Sequence, residues 1–158
     1  MPVLSASETL IALGKKSMSC RELMSETLSQ IREINSSINA ICTLIDEEEA
    51  LRLAAEADAE REKRVSGLEA LHGLPIAIKD LAATKGIRTT LGSPIFADQI
   101  PDHDALVVER IKKSGAIIIG KTNTPEFGTG CNTFNPIFGA TRNPWDLTKT
   151  VGGSSGGA

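Results

Sequence analysis

A lysine and two serines are the residues of this chain whose types and settings could do chemistry together. Lys79 ends the run Leu74-Pro75-Ile76-Ala77-Ile78-Lys79, and Ser154 and Ser155 lie inside Gly152-Gly153-Ser154-Ser155-Gly156-Gly157. A lysine at the end of an apolar strand can be buried enough to lose its proton, and a neutral amine can then act as general base toward a serine hydroxyl. The plainer reading of Lys79 is a strand-end side chain that extends its ammonium to water. The plainer reading of the glycines is a flexible tail.

Two other patterns offer chemistry and are set aside on their surroundings. The glycine-serine segment matches GxSxG around both Ser154 and Ser155, but a nucleophile elbow needs a preceding strand and an acid and a histidine after the serine. Both histidines, His72 and His103, precede it. His103 reads as part of an exposed turn entering a helix, and His72 precedes a Gly-Leu-Pro turn, so neither is expected to complete a Ser-His-Asp triad. Gly115-Ala116-Ile117-Ile118-Ile119-Gly120-Lys121-Thr122 matches GxxxxGK[ST]. A phosphate cradle needs a flexible loop between a strand and a helix. Here a helical segment precedes the first glycine, the intervening residues are β-branched, and Pro125 follows closely. The segment is predicted to be a strand, and ATP is not expected to bind.

The elements that must position Lys79 and the serines follow from periodicity. Ser5 with Glu8 and Ser19 with Glu22 have capping-box spacing ahead of helical segments. Leu23, Met24, Leu28, Ile31 and Ile34 make one apolar stripe, which predicts a core-facing helix. Ala40 to Ile45 is a short, partly β-branched run with strand character. Asp46 to Glu49 at the start of the next helix and Arg61, Lys63 and Arg64 at its end complement the helix dipole, and Gly67 ends it. The four acids read as a solvated face, since consecutive helical positions cannot converge on one metal ion. Leu74 to Ile78 is predicted to be a strand, Asp104 to Lys113 an amphipathic helix capped by Gly115, and Ala116 to Ile119 a buried strand. From Thr122 onward, Asn, Pro, Gly and Thr predict ordered loop. Alternating helix and apolar strand predicts an α/β architecture. Residues 1–66 are expected to be mainly helical, and residues 67–158 to carry the strands, the loops and both functional segments.

Composition limits the partners. The chain has 158 residues, 17 Lys+Arg against 20 Asp+Glu, and a formal net charge of -3, which argues against nucleic acid or an anionic membrane as a direct partner. With 41% hydrophobic and 23% charged residues, it reads as a globular domain and not a disordered or membrane-spanning one. The N-terminus carries no signal-peptide pattern, and three widely spaced cysteines, Cys20, Cys42 and Cys131, read as reduced thiols. A cytoplasmic location is expected.

Taken together, the segments His72–Asp80, Gly86–Ser93, Gly120–Gly128, Thr141–Leu147 and Gly152–Gly157 closely resemble the amidase signature family, in order and in spacing. That resemblance implies an α/β fold with helices layered on a mixed sheet and an amide hydrolase that needs no metal and no organic cofactor. It aligns Lys79 with the family's catalytic lysine and Ser154 with its relay serine, which follows a cis peptide bond. Gly153 and Ser155 are expected to bind substrate. In the family mechanism the lysine takes a proton from the relay serine, which takes one from a second serine that attacks the amide carbonyl.

The attacking serine of the family stands in a block of the form GxDxGGSxR, which these 158 residues do not contain. The chain is therefore expected to be the N-terminal part of a single amidase domain, silent as a catalyst by itself. Ser155 neighbours Ser154, but the sequence supplies it with neither a route to Lys79 nor an oxyanion site. The stretches Asn123–Gly128 and Asn135–Gly139 look more like stand-alone amidases than like the glutaminase subunit of the tRNA-dependent amidotransferase, which is the alternative within the family. A third reading is a non-catalytic fragment that acts by association with another chain, its uncovered strand edges and apolar faces supplying the surface. A small-molecule amide is the expected substrate, and a homo-oligomer is possible.

Overall fold

The computed structural model describes residues 4–63 and 67–158. Two capping boxes start the first two helices, α1 (Ala6–Gly14) and α2 (Cys20–Ile38), with Ser5 and Ser19 each accepting from the backbone three residues on and Glu8 and Glu22 reaching back. Strand β1 (Ile41–Leu44) follows, then α3 (Glu47–Lys63). Asp46 caps α3, its Oδ1 accepting from the amides of Glu48 (2.9 Å) and Glu49 (3.1 Å). This satisfies two of the free donors at the helix start. Arg64, expected among the cations of the last turn, lies outside the described residues.

Strand β2 (Pro75–Lys79), helix α4 (Leu106–Lys113) and strand β3 (Ile117–Thr122) complete the central layer. The sheet has the order β1-β3-β2, with β3 parallel to β2 and antiparallel to β1, so it is mixed as expected. Strand β3 is buried along its whole length. Alternation along it sends Ile117 and Ile119 toward α1, α2 and α3, where they meet Leu13, Met24, Leu28 and Ala54. Ile118 faces the other way and packs with Ile78 and with Val108 of α4. Full burial of each such isoleucine contributes about 1.5–3 kcal/mol, so this strand fixes both layers at once.

The remaining chain is loop with two single 3-10 turns (Pro94–Phe96 and Glu126–Gly128) and short hairpins, β4 (Phe134–Asn135) with β5 (Gly139–Ala140) and β6 (Arg142–Asn143) with β7 (Asp146–Thr150). Two expectations need correction. Ile34 is 50% exposed, because the apolar stripe of α2 outlasts the layer it packs on. Helix α4 begins at Leu106 and not at Asp104, whose carboxylate instead accepts from the Lys85 amide (2.7 Å) and the Lys112 amine (2.8 Å). Arg61 stands in the last turn of α3 as expected, and it is also buried, donating to the carbonyls of Leu13 (2.8 Å) and Met18 (3.1 Å) and to Asp58 (2.8 Å). Its partners are specific carbonyls of another segment, a stronger demand than complementing a helix dipole.

Candidate active site

The end of β2 aims Lys79. Residue by residue, the pairing with β3 runs Ile78 opposite Lys121 and Lys79 opposite Thr122, and the Asp80 amide continues it by donating to the Thr122 carbonyl (3.0 Å). Asp80 is fully buried, and its carboxylate accepts from the Thr90 amide (3.1 Å) and hydroxyl (2.5 Å). Burial raises the Asp80 pKa, opposed by the Thr90 hydrogen bonds and by the charge of Lys121. This anchored residue leaves its neighbour Lys79 on the opposite side of the strand.

The glycine-serine segment is held and not a free tail. Gly152 forms an isolated bridge with Asn132, the Gly153 amide donates to the Cys131 carbonyl (2.6 Å), and the Gly153–Ser154 peptide bond is cis. The Lys79 amine lies 2.9 Å from Ser154 Oγ and 3.1 Å from Ser155 Oγ. The amine thus points toward both serines, and Ser155 has the direct route to Lys79 that a nucleophile there would need. Burial lowers the Lys79 pKa below its ordinary value, which favours the neutral amine that a general base requires. Gly153 supplies no free donor from its amide, since Cys131 occupies it. A Cβ at Gly153 would stand 2.6 Å from the Gly130 carbonyl oxygen, so this close approach requires glycine.

The other candidates are placed elsewhere. Gly115 to Thr122 is β3 with its preceding turn, and Lys121 is fully buried, donating to the Ala82 carbonyl (2.5 Å) and the Thr84 hydroxyl (2.8 Å). His72 is buried with Nε2 against the Ala57 carbonyl (2.9 Å), and His103 is exposed beside Asp102 (2.9 Å). Among the described residues no cluster of His, Cys, Asp and Glu could hold a metal ion, and no helix is long and apolar enough to cross a membrane. A cavity of about 770 Å³ lies between α3 and the start of β3, lined by Leu53, Ala57 and Ile117 among others and by none of Lys79, Ser154 and Ser155.

Sequence reasoning missed the polar framework behind the serines. Asn135 donates to Asn123 Oδ1 (2.7 Å) and to the Thr124 carbonyl (2.8 Å), and Asn123 donates to Thr141 Oγ1 (3.0 Å), all four side chains being buried. Cys131 and Thr133 hold the glycine segment itself. The signal for the Asn123, Asn135 and Thr141 bonds was the density of Asn and Thr between Thr122 and Thr141.

A family profile described as Amidase matches residues 22–158. A glutamyl-tRNA(Gln) amidotransferase subunit of Alkaliphilus metalliredigens (strain QYMF) is 45% identical over 144 residues, which is 91% of this chain and 29% of the relative. Among solved structures, a bacterial aryl acylamidase of the amidase signature enzymes superposes with a TM-score of 0.89 at 31% identity, over 98% of this chain and 32% of that one. The corresponding glutamyl-tRNA(Gln) amidotransferase subunit of Thermotoga maritima does so with a TM-score of 0.75 at 31% identity, over 98% and 30%. This chain thus spans less than a third of the length of each. The curated relative belongs to an amidotransferase, so it lends no support to the stand-alone preference drawn from Asn123–Gly128 and Asn135–Gly139.

Proposed function

Since this chain belongs to the amidase family, we propose that Lys79 and Ser154 form the proton-relay half of a site that hydrolyses carboxylic amide C–N bonds through a serine ester. The observation that carries the reading is the 2.9 Å contact between the Lys79 amine and Ser154 Oγ at a lysine whose pKa burial lowers. A neutral Lys79 accepts the Ser154 hydroxyl proton while Ser154 Oγ accepts the proton of the attacking serine. That serine's oxygen bonds to the carbonyl carbon. As the tetrahedral intermediate collapses, the proton returns along the relay to the leaving amine and the C–N bond breaks. Water then cleaves the acyl-serine ester by the same relay, releasing the carboxylic acid. Ser155 Oγ, 3.1 Å from the same amine, holds Lys79 in register between the two hydroxyls. The free thiols Cys20, Cys42 and Cys131 support a reducing, cytoplasmic setting.

The test is amide hydrolysis by a protein that contains this chain together with the residues bearing the attacking serine. Lys79→Ala and Ser154→Ala are expected to lower turnover by about 10²–10⁴-fold, the usual worth of positioned general acid-base catalysis. Full turnover in Lys79→Ala would overturn the relay.

A second reading, the glutaminase-type subunit of a tRNA-dependent amidotransferase, is favoured by the 45% identity to the Alkaliphilus protein. Ammonia release from glutamine in preference to simple carboxamides distinguishes it from a stand-alone amidase. Both readings use the same Lys79 and Ser154.

A further inference from the structure

Thr133 is fully buried, and its hydroxyl closes the turn that carries both serines. Its Oγ1 donates to the Gly152 carbonyl (3.0 Å) and accepts from the Gly156 amide (3.0 Å). A hydroxyl has one proton to give and lone pairs to receive, so a single side chain can clasp both ends of a short segment. Ser154 and Ser155 are the residues between, with Gly153. The clasp is itself anchored, since the Thr141 amide donates to the Thr133 carbonyl (3.0 Å) and Thr133 follows Asn132, the bridge partner of Gly152. The fit at Gly156 is close, because a Cβ there would collide with Thr133 Oγ1 and with the Val151 side chain.

We propose that Thr133 is the positioning residue of this site, its hydroxyl spanning Gly152 and Gly156 so that Ser154 and Ser155 both face Lys79. The inference rests on the reading of Lys79 and Ser154 as the relay pair, and it adds the residue that sets their separation. Valine at this position keeps the shape and removes both hydrogen bonds. Serine keeps the hydroxyl and loses a methyl group.

The experiment is solution NMR on the 158-residue chain, reading the Gly156 amide exchange rate and the Lys79 titration midpoint in the wild type, Thr133→Val and Thr133→Ser. Thr133→Val is expected to speed Gly156 exchange about fivefold, the equivalent of one net hydrogen bond. It is also expected to shift the Lys79 midpoint upward, because a loosened turn returns the amine to water. Thr133→Ser is expected to restore both. Unchanged Gly156 exchange and Lys79 titration in Thr133→Val, or failure of Thr133→Ser to restore them, overturns the proposal. Should Thr133→Val not fold, Thr133→Cys takes its place, since a thiol is a weak donor and acceptor, and native values in that variant overturn the clasp equally. These readouts require no turnover, so they separate failure of the clasp from failure of the hydrolytic reading, which the Lys79→Ala assay decides.

Discussion

Lys79 and Lys121 stand one register step apart on paired strands, with Lys79 opposite Thr122 and Ile78 opposite Lys121, and their amines have unlike partners. Lys79 meets the hydroxyls of Ser154 and Ser155, while Lys121 is sealed against the Ala82 carbonyl and the Thr84 hydroxyl. The period-2 alternation of a strand separates two chemically identical groups onto opposite faces.

That separation predicts opposite mutational signatures. Lys121→Met is expected to cost about 1.5–3 kcal/mol of stability, the usual worth of a hydrogen bond to a charged group, with the Ala82 carbonyl left to the Thr84 hydroxyl alone (3.1 Å). Lys79→Met is expected to change stability by less than about 1 kcal/mol, as a partly exposed substitution does. Urea unfolding of both variants measures this. A larger loss in Lys79→Met than in Lys121→Met would contradict the assignment.

Alkaline pH should act on the thiols of Cys20 and Cys42 and on Lys121 with opposite signs. Burial, aided by Asp58, pushes the Cys20 thiol up from 9.0 to about 12, and burial, aided by Asp80, does the same to Cys42. The unfolded thiols lose protons that the folded ones keep, so this contribution is complete below pH 9 and is lost as pH rises toward 12. Burial lowers Lys121 from 10.5 to about 8, so between those values the unfolded chain binds the extra proton and stability rises with pH. Measured between pH 8 and 10.5, Cys42→Ala is expected to flatten the alkaline loss and Lys121→Met to steepen it. Parallel pH profiles in all three proteins would contradict both shifts.

The glycines of the serine turn are not equivalent. A Cβ at Gly157 would stand 2.5 Å from the Asn123 amide nitrogen and 2.6 Å from the Ala40 carbonyl oxygen, whereas a Cβ at Gly152 meets nothing within 4 Å. Gly157→Ala is therefore expected to cost about 1–3 kcal/mol, in the range of overpacking, and to disturb the seat of the turn against β3. Gly152→Ala is expected to stay within about 0.5 kcal/mol of wild type. Thermal unfolding of the pair checks the contrast, and equal losses would argue that the turn yields at Gly157.

The sheet and its helices were legible because each rests on a local rule. Ser5 and Ser19 announced α1 and α2, the run Leu74 to Ile78 announced β2, and the β-branched run from Ile117 excluded a phosphate loop. The Lys79–Ser154 contact was legible only through the order and spacing of separated segments, since no local rule joins residues 75 positions apart. The clasp of Thr133 and the carbonyl of Cys131 were not legible. A threonine among many and a backbone oxygen carry no sequence signature until the fold brings Gly152 to Asn132.

Ser155 shares the Lys79 amine with Ser154, so the chain of 158 residues tests whether proximity to a base suffices for a nucleophile. Acylation also needs donors aimed at the developing oxyanion, and losing one such donor typically costs about 10²–10³ in rate. Within the turn, the Gly153 amide is already given to the Cys131 carbonyl and the Gly156 amide to Thr133 Oγ1. Two of the turn's backbone donors are thus spent on holding it in place. A fluorophosphonate probe is expected to leave Ser155 of this chain unlabelled, or to label it at a rate that Lys79→Ala does not change. Labelling of Ser155 that disappears in Lys79→Ala would make Ser155 a nucleophile in its own right and would move the relay from Ser154 to the direct 3.1 Å contact.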